Sequence, residues 1–107
     1  MKKMMENEMS YKKGDVVSVI TNAGEYVGKF KDEGDSTFTI EKPRMLIQSE
    51  QGVGFARGIC VTGKDDTESL TFQKSGIVFT TETSEVVQKA FVEATTGIVL
   101  DSGGIQA

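Results

Sequence analysis

From residue 16 onward, apolar and polar side chains alternate in short runs separated by turn residues, the period of strands with one buried face. Val16-Val17-Ser18-Val19-Ile20 predicts a first strand. Asn22-Ala23-Gly24-Glu25 predicts a hairpin turn with Gly24 at positive φ, and Tyr26-Val27-Gly28-Lys29-Phe30 predicts the return strand. Gly28 within that strand predicts a sharp bend or a bulge. After the polar run 31–35, Thr37-Phe38-Thr39-Ile40-Glu41 alternates again, with Phe38 assigned to the core. Pro43 cannot donate to a ladder and marks a kink or an edge, and Met45-Leu46-Ile47 resumes extended structure. Further strands are expected in Ile59-Cys60-Val61-Thr62, Leu70-Thr71-Phe72 and Ile77-Val78-Phe79-Thr80.

One segment changes period. Apolar residues at 86, 87, 90, 91 and 94 form a helical stripe. Ser84 suits an N-cap, Glu85 the positive end of the dipole and Gly97 the C′ position, so a helix is expected over 84–95. Ile98-Val99-Leu100 reads as a short strand, and the rest of the segment 97–107 as a frayed tail. Residues 1–10, with Met4, Met5 and Met9, are expected to be flexible or a short helix.

Composition supports a mostly β domain. Among 107 residues there are 11 Val, 7 Ile and 11 Thr against 3 Leu and 5 Ala, and β-branched side chains favour pleated surfaces. The length fits one domain, and a core of this size can require a partner or a second copy for stability. No apolar run is long enough to span a membrane, and the polar opening lacks the apolar stretch of a signal peptide, so a cytoplasmic protein is expected.

Absences narrow the chemistry. The chain has no histidine and a single cysteine, Cys60, which removes intrachain disulfides, His/Cys zinc sites and His-based catalysis. The expectation is a protein that is not an enzyme and carries no metal and no cofactor. Cys60, in an apolar alternating run, is assigned to the core. Gly52-x-Gly54-x-x-x-Gly58 resembles a phosphate loop but leads into β-branched residues rather than a helix. Asp32, Glu33 and Asp35 crowd one turn without the spacing of a calcium loop. The net charge of −4 argues against broad duplex binding. It is unevenly spread: residues 1–64 sum to +1 and residues 65–107 to −5, leaving room for a local basic rim on the first half.

The stretch from Val16 to Ile40 resembles the first conserved segment of the Sm-like (Sm/LSm) RNA-binding proteins. It carries Val16-Val17-Ser18-Val19, then Gly24-Glu25-Tyr26-Val27-Gly28-Lys29-Phe30, then Asp35-Ser36-Thr37-Phe38-Thr39, with Gly24 and Gly28 at the family spacing. The second family segment, a strand followed by Arg-Gly, has three possible registers here: Arg57-Gly58, Gly63-Lys64 and Lys74-Ser75-Gly76.

The resemblance implies a small, strongly bent, five-stranded Sm-like or SH3-like barrel over 11–82, with an added C-terminal helix over 83–96. It further implies a homo-oligomeric ring that closes its strand edges on copies of itself and holds single-stranded RNA, or DNA, in nucleic-acid processing or chaperoning. By position, Asp35 would orient the binding loop, Thr37 would take the stacking place and Thr39 the base-contacting place. A basic residue from Arg57 (beside Gly58), Lys64 or Lys74 would meet phosphate or base. The alternatives are a non-enzymatic protein-docking or assembly module with no nucleic-acid ligand, and a monomeric SH3-like domain.

Overall fold

The computed structural model describes residues 11–60 and 62–97. Within them six strands and one helix follow in the order β1 (Val16–Thr21), β2 (Gly24–Glu33), β3 (Thr37–Ser49), β4 (Gly52–Phe55), β5 (Ser69–Gln73), β6 (Ile77–Glu82) and α1 (Glu85–Thr96). The expected features of 1–10, Val61 and 98–107 lie outside the described residues.

The expected meander is present as β1, β2 and β3, paired antiparallel in sequence. Pro43 does not end β3. The strand runs through it, with Lys42 in the left-handed region (φ 53°) and a register shift opposite Gly28, so Pro43 sits where no ladder bond is asked of it. The shift requires glycine: a Cβ on Gly28 would lie 2.8 Å from Ile40 Cδ1 and 2.9 Å from the Glu41 carbonyl oxygen.

The expectation of a bent barrel is overturned. The sheet is open, ordered β4-β3-β2-β1-β6, with β5 also on β3. Strand direction explains this. β5 is antiparallel to β3 and β6 is antiparallel to β1, while β1 and β3 run the same way, so β5 and β6 also run the same way. A parallel pair needs a crossover of about a dozen residues or more. Here a three-residue 3-10 turn, Lys74–Gly76, joins them, so they stay unpaired. A ring of barrels therefore loses its structural premise, as does the SH3-like alternative.

Each face of the sheet has its own packing. Val17, Val19, Phe30, Phe38 and Ile40 form the buried cluster on one face, flanked by Tyr11, Tyr26, Leu70, Phe72 and Ile77. The Phe30 and Phe38 rings lie 5.3 Å apart, and Tyr26 meets Phe72 edge-on at 5.4 Å. On the other face Ser18 stands opposite Val27, and its Oγ lies 2.8 Å from Thr83 Oγ1 in the connection to α1. The helix buries Ala90 and Phe91, and the Phe91 ring lies 6.2 Å from Phe55. Full burial of a Phe side chain contributes about 1.5–3 kcal/mol.

The helix has the expected caps. Val87 N–H donates to Ser84 Oγ, and Gly97 ends the helix at φ 78° with its N–H on the Glu93 carbonyl. Between β4 and β5 the expectation fails: Ile59, Cys60 and Thr62 are not in a strand, and Cys60 is exposed rather than in the core. No helix among the described residues is long and apolar enough to cross a membrane.

Replacing Gly28→Ala tests the bulge. The backbone carbonyl of Glu41 cannot move aside as a flexible side chain would, so a loss of about 1–3 kcal/mol is expected in urea unfolding at unchanged m-value.

Candidate functional site

The residues singled out from the sequence separate into two groups. Asp35 is exposed in the turn between β2 and β3, and Thr37 opens β3, its carbonyl accepting from Gly34 N–H at 2.9 Å. Lys74 joins them from the 3-10 turn: its backbone N–H donates to the Ser36 carbonyl at 2.8 Å, and its Nζ lies 2.7 Å from Glu33 Oε2. Thr39 is only 8% exposed, and its Oγ1 lies 2.9 Å from Thr71 Oγ1. Phe38 is buried, as assigned from the sequence.

The second group lies in the connection between β4 and β5. Arg57 Nη2 donates to Asp66 Oδ2, and Arg44 Nη2 lies 3.3 Å from Asp66 Oδ1. Gly58 packs beside Asp65, and exposed Lys64 gives its carbonyl to Thr67 Oγ1 at 2.8 Å. Arg44, which anchors this group, stands seven positions along β3 from Thr37, up to about 23 Å of extended strand. The two groups therefore do not meet in one place within the chain.

A cleft forms beside the first group, next to the 3-10 turn that leaves the sheet open. It has a volume of about 250 Å³ and is lined by Tyr11, Glu33, Phe38, Lys74, Ile77, Phe79 and Thr80. That is just below the range of about 300–1,000 Å³ for ligand clefts and suits one planar ring system. Tyr11 is held by its hydroxyl, 2.9 Å from Thr80 Oγ1, and by edge-on contact with Phe38 at 6.0 Å. Phe79 is 52% exposed, and its pairing with Ile20 turns its side chain to the face opposite Thr80.

Of these residues, sequence reasoning singled out Lys74 and missed Tyr11, Glu33 and Phe79 as a group. One signal was available: Phe79 is the single aromatic of β6, which otherwise reads Ile, Val, Thr, Thr, Glu. Glu33 was read with the turn acids, yet it is held by Lys74. No group of three or more His, Cys, Asp or Glu side chains among the described residues is placed to hold a metal ion.

Compared with known proteins, the chain matches no family model and no curated protein. The Sm-like resemblance thus rests on the stretch 16–40.

Electrostatics are most strongly organised around Asp66. The hydrogen bond from Arg57, with further attraction from Arg57 and Arg44, holds the Asp66 carboxyl below the usual carboxylate range. The same hydrogen bond raises Arg57. A carboxylate with a lowered folded pKa stabilises above its unfolded pKa, and that contribution is lost as pH falls through the folded value. Asp66 has φ 55°, which Asn also tolerates, so Asp66→Asn preserves the loop backbone. Denaturant unfolding of the two proteins should differ at neutral pH, and the difference should shrink as pH falls below about 4.

Proposed function

We propose that the chain is a non-enzymatic module that binds single-stranded nucleic acid, RNA or DNA, at the cleft lined by Tyr11, Phe38 and Lys74. The observation that carries this reading is a cleft sized for one planar group, lined by the Tyr11 and Phe38 rings and by Lys74. Stacking on an aromatic face is the sequence-tolerant way in which single strands are held. Thr37, the stacking position implied by the family resemblance, has no such face, and Tyr11, which lines the cleft, supplies it. Lys12 and Lys13, exposed and adjacent to Tyr11, are available to phosphates. A cytoplasmic setting, in which the exposed Cys60 thiol stays reduced, suits this reading.

Among the described residues no strand pairs with the outer edge of β6, where Val78 is 56% exposed, and this favours a second reading: protein docking by strand addition, with no nucleic-acid ligand. Fluorescence anisotropy with mixed-sequence single-stranded RNA and DNA separates the two. Salt-sensitive binding is expected, weakened by about 1–3 kcal/mol in Tyr11→Ala. Absence of binding at low salt would reject the nucleic-acid reading and leave docking.

A further inference from the structure

Among the described residues, the helix covers only part of its face of the sheet. The side chains that share this face with Ser18 are set by register and alternation: Val27, Arg44, Leu46, Phe55, Ile20 and Phe79. α1 crosses the strands over one end of the face. Thr83 bonds Ser18 on β1 as the helix begins, Phe91 meets Phe55, and Thr95 lines a small cavity with Lys42 and Arg44 of β3 as it ends. At that end Ser18 and Val27 are buried. Two positions along the strands the cover stops: Ile20 and Leu46 are half-buried and Phe79 is exposed. A groove of about 340 Å³ opens there, lined among others by Ile20, Glu25, Leu46 and Val53.

The chain that leaves α1 starts beside this groove and has the composition to fill it. Gly97, at φ 78°, turns the backbone out of the helix, two residues after Thr95 has met the cavity at Arg44. Leu46 follows Arg44 by two positions on the same face of β3, about 7 Å along the strand. Residues 98–107, outside the described residues, open with three successive apolar side chains, Ile98-Val99-Leu100. Three extended residues span about 10 Å, which matches the two strand spacings of about 4.8 Å each between Leu46 on β3 and Ile20 on β1. We infer that Ile98 to Leu100 lies across the groove, with Ile98 toward Leu46 and Leu100 toward Ile20. The segment completes the cover that α1 begins, on the face opposite the Tyr11 ring. Its tether keeps it at high effective concentration, an advantage that no separate partner has.

The test is urea unfolding of the full chain and of a chain stopped after Gly97, each with and without Ile20→Thr, which keeps a β-branched side chain in β1. Removing 98–107 should lower the midpoint by on the order of 1 M. Ile20→Thr should lower it further in the full chain than in the shortened one, where the contact is already lost. An unchanged midpoint on truncation, or equal losses from Ile20→Thr in both backgrounds, would overturn the inference. A second readout works in the full-length chain, which has no tryptophan of its own. Fluorescence of the Leu100→Trp variant should be shielded from iodide quenching, and adding Ile20→Asp should expose it; quenching equal to that of free tryptophan in the folded protein rejects the contact. If the native protein sediments as a dimer and the loss from Ile20→Thr grows with protein concentration, a second copy fills the groove and the inference fails.

Discussion

Strand direction governs this molecule more than any single contact does. β1 and β3 run together, so the strands that flank them, β6 and β5, must also run together. Two co-directional strands joined by Lys74, Ser75 and Gly76 have no room for the crossover that parallel pairing demands. Among the described residues the sheet consequently stays open, ending at β4 and at β6. The turn that prevents closure also supplies Lys74, and the cleft develops beside it.

An open sheet must bury both faces by other means. One face carries the aliphatic and aromatic cluster around Phe30, Phe38 and Ile40, extended by Tyr11 and Phe72. The other is served by α1, positioned by the hydroxyl pair Ser18–Thr83 and by Gln88 Nε2 donating to the Thr83 carbonyl at 2.7 Å. These bonds satisfy polar groups at the point where the chain leaves β6, so the helix begins from a fixed orientation. Among the described residues, helix and sheet leave Phe79 and Val78 exposed on β6.

The cationic groups divide according to the acids that they meet. Arg44 and Arg57 are committed to Asp66, which organises the long β4–β5 connection where no regular ladder does. Lys74 is committed to Glu33, but beside a cleft that Tyr11 and Phe38 also line. The same kind of ion pair ties a loop together in the first setting and borders an open cleft in the second. The difference lies in the neighbouring side chains and not in the charges.

The linear pattern was enough to specify local structure. Alternation at 16–20, 26–30 and 37–41 specified the three-stranded meander, Gly28 its irregularity, and Ser84 with Gly97 the helix limits, because each of these depends on neighbours a few positions away. It misassigned Ile59 and Cys60, whose apolar alternation found no partner strand. Phe38 was legible as core from its period. The grouping of Tyr11, Glu33, Lys74 and Phe79 was not, since it joins residues 68 positions apart. Whether the borders of the sheet meet, and which side chains face one another across that gap, was decided only by the tertiary arrangement: strand direction and crossover length are properties of the assembled sheet, and no residue encodes them alone.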